Sequence, residues 1–384
     1  MSLPGIANVH SHAFQRRLRG DVQRRDLSQA DTFWTWRERM YDLALTLDLQ
    51  GLEAAARLTF LECLEAGYTA VGEFHYVHHD LNGRPYGDPV ATSRAMIRAA
   101  KQVGIRLTLL WTAYVKGGFG VPLSARQSRF RASDRGEVER ALDALLDEVD
   151  GERIALGLAI HSVRAVPPDW LAPLAALARA RELPIHAHVS EQPQEITACR
   201  EATGLSPVGL LAQEGVLGPD FTAVHGTWLD DDDLRLLSSS GSTVCVCPTT
   251  ECDLGDGVPR TAELFEAGVP LCIGSDSHAV IDPFAELRML EYQARAATGR
   301  RCVLVDSEGE VAPALLEIGH AQGYRALGLS GEGDRVTLRS DARALEGTNE
   351  RVASALTAGH PGLVDRVDVA GETLVSGGRH LHLG

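Results

Sequence analysis

Eight short apolar segments that alternate with longer amphipathic stretches constrain the fold of this chain more than any other feature. The segments are GIANVHSH, YTAVGEF, IRLTLLWTAY, IALGLAIHS, LPIHAHVSE, FTAVHGTWL, STVCVCP and LCIGSDS. Helix-like runs lie between them, at residues 52–65, 91–102, 137–149, 171–181, 230–238 and 283–297. Strands that alternate with helices favour a parallel sheet, and eight of them fit a closed (β/α)8 barrel better than an open sheet. We therefore predict an α/β protein with a TIM barrel over residues 1–330.

The end of the chain has a different pattern. In VDVAGETLVSGGRHL, apolar and polar residues alternate around Gly371, Gly377 and Gly378, which is typical of antiparallel hairpins. Residues 331–384 are therefore predicted to form a small β appendage to the barrel.

Composition excludes several classes of partner. The 384-residue chain has a formal net charge of -15, which argues against nucleic acid because a phosphate backbone requires clustered Lys and Arg. It contains no apolar run of about 18 residues, as a membrane span would need, and no secretory signal pattern at MSLPG. Seven scattered cysteines predict no disulfide framework and favour a reducing cytoplasm. We expect a cytoplasmic protein that acts on a small molecule.

Polar side chains follow the predicted strands at the points where they end. In a barrel, the carboxyl ends of the strands form the face on which active sites are built. Polar groups are costly to bury, so their recurrence at equivalent points indicates a site rather than chance. They are His10, His12, Glu73, His75, His161, His188, Glu191, His225, Asp276 and His278.

Four of these residues have the character of metal ligands. His10 and His12 lie two residues apart in a strand, so both imidazoles point to the same side. With His188 and Asp276 they offer three nitrogens and one carboxylate, a set that suits Zn2+ or, if supply favours it, Fe2+. His186 also pairs with His188 in an H-x-H pattern, but Glu191 follows His188 by three residues and favours His188. The fourth strand contains no lysine to bridge a second ion, so we predict one metal.

This constellation resembles the amidohydrolase superfamily and its mononuclear deaminase branch. The matching positions are the H-x-H pair, HVSE, VHG and GSDS. Further segments resemble the formimidoylglutamate deiminases of that superfamily, namely NVHSHAFQR, FWTWRERMY, EFHYVHH, HSVRAV, HVSEQ and SDSHAVIDPFAELR. The resemblance implies hydrolysis of N-formimidoyl-L-glutamate to N-formyl-L-glutamate and ammonia, a step of histidine degradation. Members usually begin with several dozen residues of a β-sandwich, so it also implies an appendage that is incomplete on its N-terminal side.

The resemblance implies catalytic roles as well. Asp276 would accept a proton from the attacking water, and His225 would orient or stabilise the attacking oxygen. Glu191 would protonate the departing nitrogen, although a carboxylate at that position could instead only hold a ligand in place by a hydrogen bond.

The resemblance also implies the substrate contacts. Arg37 and Arg164 would clamp two carboxylates, because guanidinium forks match carboxylates. Gln15, Tyr76 and His161 would join them. From the sequence alone, Arg37 could equally be a surface residue with Arg39 in its place, and Trp34 and Trp36 are expected to pack rather than bind.

Two other functions stay open from the sequence. A mononuclear deaminase of a purine, pterin or related ring would use the same metal residues with aromatic stacking in place of paired arginines. A non-catalytic barrel would keep the fold alone. The oligomeric state is also open, a homodimer included.

Overall fold

A closed barrel of parallel strands forms the centre of the molecule. The computed structural model describes residues 1–28 and 30–383. Within them, eight parallel strands pair in sequential order. Backbone hydrogen bonds join the last strand end to the first, from the Asp276 N–H to the His10 carbonyl (2.9 Å) and from the His12 N–H to the Asp276 carbonyl (3.0 Å). The prediction of a (β/α)8 barrel is confirmed. Its strands are β2 (Ile6–Ser11), β3 (Tyr68–His75), β4 (Arg106–Ala113), β5 (Ile154–Ser162), β6 (Ile185–Val189), β7 (Phe221–His225), β8 (Thr243–Val246) and β9 (Leu271–Ile273).

Helices pack around the strands and present one apolar face to them. The helix α2 (Leu49–Ala66) shows how the sequence determines the ends of a helix. The Asp48 side chain accepts from the Gly51 N–H at the start, and Gly67, at φ 107°, ends it. The helices are α1 (Phe33–Ala44), α2 (Leu49–Ala66), α3 (Ala91–Val103), α4 (Arg135–Leu146), α5 (Pro168–Arg179), α6 (Pro193–Thr203), α7 (Pro207–Gln213), α8 (Asp231–Ser240), α9 (Pro248–Leu254), α10 (Thr261–Glu266), α11 (Pro283–Thr298), α12 (Val311–Glu317), α13 (Gly323–Ala326) and α14 (Arg351–Ala358).

A second, antiparallel sheet carries the end of the chain. Its order is β1 (Ser2–Pro4), β10 (Arg335–Leu338), β11 (Val364–Val369), β12 (Glu372–Ser376) and β13 (Arg379–His380). The predicted hairpin is present, and Ala370 and Gly371 turn it with φ of 52° and 77°, the backbone of a type I′ turn. The structure adds β1, which the sequence analysis had placed with the barrel. Three residues are too few to show alternation, and the partner of β1 lies more than three hundred residues away along the chain. The division at residue 330 stays a prediction.

A buried ion pair joins the antiparallel sheet to the amino-terminal end of the barrel. Arg106, the first residue of β4, donates to both carboxylate oxygens of Asp334 at 2.9–3.1 Å. The Tyr324 hydroxyl and the Ala370 N–H also donate to that carboxylate. Arg106 further donates to the carbonyls of Glu152 and Glu332. Every charged atom of the pair thus has a partner within the chain.

In the described ranges, no helix combines the length and the apolar character that a membrane crossing requires. Cys245 in β8 and Cys247 directly after that strand are buried, whereas Cys252 is exposed. The three thiols therefore do not form the structural zinc knot that their spacing could suggest.

Candidate metal centre and active site

Three histidines converge at the carboxyl end of the barrel. The Nε2 atom of His188 lies 3.1 Å from that of His10 and 3.3 Å from that of His12. His10 lies near the end of β2, and His12 directly follows that strand. His188 lies in β6, almost opposite in the barrel. All three side chains are buried. Because side chains two residues apart in a strand point to the same side, His10 and His12 both face His188, as the sequence predicted.

Hydrogen bonds at the Nδ1 atoms of two of these histidines fix the direction in which their Nε2 atoms point. The Nδ1 atom of His12 lies 2.9 Å from the Phe74 carbonyl, and that of His188 lies 2.8 Å from the His161 carbonyl. A carbonyl only accepts, so each Nδ1 carries the proton and each Nε2 directs a lone pair inward. Burial lowers the pKa of His10 and His188 well below the ordinary histidine value, and it lowers that of His12 as well. Neutral imidazoles with converging lone pairs repel one another unless a cation lies between them.

Asp276 completes the donor set. Its Oδ1 atom lies 3.4 Å from His10 Nε2 and 3.5 Å from His12 Nε2. The residue has φ 46°, a conformation that is uncommon outside glycine and often found at functional sites. Gly274 allows this approach, because a Cβ there would lie 2.7 Å from the His10 Cβ. Two overlapping groups of donor atoms lie within 4.8 Å of one another, His10 with His12 and His188, and His10 with His225 and Asp276. Nitrogen and carboxylate donors of this kind suit a divalent ion.

Two further predicted residues lie beside these donors. His225 Nε2 is 3.7 Å from Glu191 Oε1 and 4.0 Å from Asp276 Oδ2. Burial raises the pKa of Glu191, and His225 opposes part of that rise. Burial by itself would lower the pKa of His225, but the carboxylates around it raise that pKa well above its ordinary value. The arrangement places the carboxyl group of Glu191 and the imidazole of His225 at one side of the metal donors.

The cavity above the donors contains every substrate contact that the resemblance implied. Gln15, Arg37, Tyr76, His161 and Arg164 all line it, together with His12, His188, Glu191, His225 and Asp276. The Gln15 Nε2 group donates to the Tyr76 hydroxyl at 2.9 Å. The Gln15 Oε1 and Arg37 Nε atoms are buried without a hydrogen-bond partner. The cavity therefore offers an unsatisfied acceptor and an unsatisfied cationic donor to a ligand.

Arg37 and Arg39 separate clearly. Arg37 faces the cavity from α1, whereas Arg39 turns outward and donates to the carbonyls of Asp21 and Arg24. The guanidinium carbons of Arg37 and Arg164 lie 4.5 Å and 5.8 Å from the centre of the Trp34 ring. Trp34 thus packs against both arginines and brings them together, while Trp36 lines the cavity wall.

Other polar residues at strand ends support the site without reaching the cavity. His186 points away from it, with Nε2 2.8 Å from the Ala326 carbonyl. His75 contacts the Thr92 hydroxyl at 3.0 Å. Glu73 accepts from the Ser11 hydroxyl at 2.6 Å, and His278 lies 2.9 Å from the same hydroxyl. Glu73 and His278 therefore hold the residue between the two metal-facing histidines.

Three buried carboxyl groups and much of the apolar wall of the cavity were not predicted from the sequence. Glu195 and Asp256 have pKa values raised by burial, Glu195 to about 7, and Glu251 contacts His225. Each lies beyond a strand end, in or next to the following helix, so a search for polar residues at the ends of predicted strands does not find it. Tyr114 directly follows β4, so a search of the residues at strand ends could have found it. The unpredicted wall consists of Phe33, Met40, Tyr41, Tyr114, Phe130 and Leu254.

Comparison with known proteins agrees with this geometry. The model of the amidohydrolase family matches residues 1–342. A formimidoylglutamate deiminase of Pseudomonas aeruginosa is 38% identical over 98% of this chain and 85% of its own length. The crystal structure of an amidohydrolase from Brucella melitensis has a TM-score of 0.92 at 36% identity, covering 99% of this chain and 86% of that one.

A more distant structure shares the fold alone. An adenosine deaminase from Xanthomonas campestris with bound zinc has a TM-score of 0.82 at 22% identity, covering 100% of this chain and 82% of that one. The resemblance predicted from the sequence motifs is confirmed by the family match and by the relative at 38% identity. Because the family match spans the whole barrel and a relative aligns along nearly the full chain, this protein belongs to the amidohydrolase family.

Proposed function

We propose that this protein hydrolyses N-formimidoyl-L-glutamate to N-formyl-L-glutamate and ammonia, a step of histidine degradation, with one divalent cation, Zn2+ by preference. The observation that carries the proposal is the pair of guanidinium groups, Arg37 and Arg164, that line the cavity of the metal donors and contact the same indole. A substrate with two carboxylates and a reactive amidine carbon matches that combination. The relative from Pseudomonas aeruginosa, named as a formimidoylglutamate deiminase, supports it.

His10, His12, His188 and Asp276 would hold the cation. When bound, such a cation lowers the pKa of water towards ~7 and supplies a nucleophile at neutral pH. The carbonyl partners of His12 and His188 keep these ligands neutral and oriented before the cation arrives.

The catalytic steps use three residues around the donors. Asp276 accepts the proton of the attacking water as its oxygen adds to the formimidoyl carbon, and His225 orients that oxygen. Glu191 in its protonated form gives a proton to the imine nitrogen, so that a neutral tetrahedral intermediate with one hydroxyl and one amino group forms. Asp276 then passes its proton to the amino nitrogen, and the hydroxyl proton returns to Glu191 as the carbon–nitrogen bond breaks, ammonia leaves and the formyl C=O bond forms. The raised pKa of Glu191 suits a group that must carry this proton at neutral pH.

The rest of the substrate would occupy the cavity between Tyr76 and the arginines. Each guanidinium pairs with one carboxylate, and the unpartnered Oε1 of Gln15 accepts from an N–H of the amidine. His161 and Tyr76 contact one another, with ring centres 5.7 Å apart, and close the side of the cavity. The cavity itself supplies this local positive charge, because the net charge of -15 gives the whole chain no attraction for anions.

A deaminase of a purine or pterin ring is the second candidate. The observation in its favour is the aromatic wall, in which Tyr41, Tyr114 and Phe130 lie near Tyr76 and provide faces for stacking. Two arginines in the same cavity have no evident partner on such a ring.

Ammonia release by the zinc-loaded protein distinguishes the two. N-formimidoyl-L-glutamate should be the best substrate, with N-formyl-L-glutamate as the product detected by mass, whereas adenosine and guanine should give at most traces. Turnover of either ring compound with no turnover of N-formimidoyl-L-glutamate would contradict the proposal and support the second candidate.

A further inference from the structure

One buried carboxylate touches a catalytic side chain from behind. Glu251 lies in α9, four residues after Cys247, and its side chain is 0% exposed. Its Oε1 atom is 3.3 Å from the Nδ1 atom of His225 and accepts from the Cys247 N–H at 2.8 Å. The opposite ring nitrogen of His225, Nε2, faces Glu191 and Asp276. Glu251 thus contacts the side of the ring that points away from the cavity.

The His225 ring needs such a contact because other features leave its orientation weakly determined. The residue has φ 74° at the end of β7, where a bulky side chain is uncommon. Its ring stacks on His188 at a centroid distance of 5.5 Å and an angle of 15°. Stacking fixes the plane of the ring but leaves open which nitrogen faces inward. A carboxylate behind Nδ1 selects one of the two edges and requires Nδ1 to carry the proton.

We propose that Glu251 is the positioning residue for His225, holding the ring so that Nε2 faces the reacting atoms. This inference depends on the proposed function only for the role of His225 in turnover. Glu251 itself does not line the cavity, so its influence on catalysis passes through the imidazole. The arrangement has the logic of an aspartate behind a catalytic histidine, in which the carboxylate sets the tautomer and the ring performs the chemistry.

A bound cation is the competing explanation for the same cluster. Donor atoms of His225, Cys247 and Glu251 all lie within 4.8 Å of one another, and the Oε2 atom of Glu251 is buried without a partner. However, Oε1 already accepts from the Cys247 N–H, and burial raises the pKa of the Cys247 thiol to about 12, which disfavours the thiolate that a metal requires. The geometry therefore favours the hydrogen bond.

Nitrogen-15 NMR of the histidine rings in the zinc-loaded protein tests the inference without any substrate. The resonances that vanish in His225→Gln identify His225, and they should show Nδ1 bearing a proton within a strong hydrogen bond. Glu251→Gln should weaken that hydrogen bond, and Glu251→Asp should restore part of it. A His225 ring that is unprotonated at Nδ1 in the parent protein would overturn the inference, even if neither Glu251 variant folds.

Kinetics supply the second readout. Glu251→Gln should lower kcat about 10- to 100-fold with little change in KM, and the same substitution in a His225→Gln background should cost less than about 2-fold, because the ring it positions is gone. Equal costs in both backgrounds would overturn the positioning role. Glu291→Gln is the matched control, since Glu291 is also 0% exposed but accepts from the N–H groups of Val303 and Leu304, pairs with Arg295 and does not line the cavity. It should leave kcat unchanged.

Zinc stoichiometry separates the competing explanation. One zinc per chain in both the parent and Glu251→Gln supports the positioning role, whereas a second zinc that is lost in Glu251→Gln and in Cys247→Ser would overturn it. If the parent protein releases no ammonia from N-formimidoyl-L-glutamate, the proposed function fails, but the NMR and zinc measurements still decide the inference.

Discussion

The two ends of the barrel differ in whether their buried polar and charged atoms have hydrogen-bond partners. At the amino-terminal end, Arg106 and Asp334 are both fully buried, and every charged atom of the pair has a partner in the chain. At the carboxyl end, buried polar atoms of His10, Gln15 and Arg37 lack partners. Because folded proteins satisfy nearly all their buried polar groups, unsatisfied atoms on residues that line a cavity, as Gln15 and Arg37 do, are available to a ligand. The first end serves the fold, and the second serves chemistry.

Removing the cation should have the largest effect at the carboxyl end. Exhaustive chelation, verified by elemental analysis, should abolish turnover, and Zn2+ or Fe2+ should restore it. The free energy of unfolding should also fall, since the cation stabilises the folded state in which its donors converge. Full activity in protein shown to be free of metal would contradict the assignment of the four donors.

Glu191→Gln should have the next largest effect. Loss of the proton-carrying carboxyl group should lower kcat about 100-fold or more, while zinc content stays that of the parent protein, because Glu191 is not among the four donors. Steady-state kinetics and elemental analysis on the same preparation check both halves. A near-normal kcat with full zinc content would rule out the proton transfer.

Arg164→Met should come third. It should lower kcat/KM by an amount equivalent to about 2 to 5 kcal/mol of transition-state stabilisation, because a substrate carboxylate is left desolvated and unpaired in the cavity. Arg37→Met should act in the same direction. Arg39→Met is the control, since Arg39 points outward and donates to the backbone carbonyls of Asp21 and Arg24, and it should change kcat/KM by less than about 2-fold. Equal losses in all three variants would show that positive charge alone is being measured.

Asp334→Asn should have the smallest effect on catalysis and a large one on stability. Breaking the buried pair with Arg106 should lower the free energy of unfolding by about 3 to 5 kcal/mol, with kcat of the folded protein unchanged. Glu372→Gln removes a partly exposed ion pair between β12 of the antiparallel sheet and Arg153, which precedes β5, and should cost less than about 1 kcal/mol. Urea denaturation and ammonia release on the same samples check this. A large fall in kcat for Asp334→Asn would show that the two ends of the barrel are coupled.

Local pattern was enough to predict the barrel and many of the polar residues that lie together at its carboxyl end. The segment IALGLAIHS coincides with β5, because apolar runs between helical stretches report buried parallel strands. The predicted histidines and Asp276 converge because strands of one barrel end at one face. Strand β1 was missed because its partner β10 is distant in the sequence. Contacts such as Glu251 with His225, or Trp34 with Arg164, join different elements, and no local period reports them.

Selectivity among three amidines tests the central claim most directly, namely that the two guanidinium groups that line the cavity at the carboxyl end, Arg37 and Arg164, recognise two carboxylates. The substrates are N-formimidoyl-L-glutamate, N-formimidoyl-L-glutamine and N-formimidoyl-L-aspartate, and kcat/KM is measured for the parent, Arg37→Met and Arg164→Met proteins. The parent should strongly prefer the glutamate compound, since glutamine lacks one charge and aspartate is one methylene shorter. One arginine variant should lose most of its preference for glutamate over glutamine. If both variants discriminate among the three compounds as the parent does, neither arginine holds a carboxylate, and the account of this site is wrong.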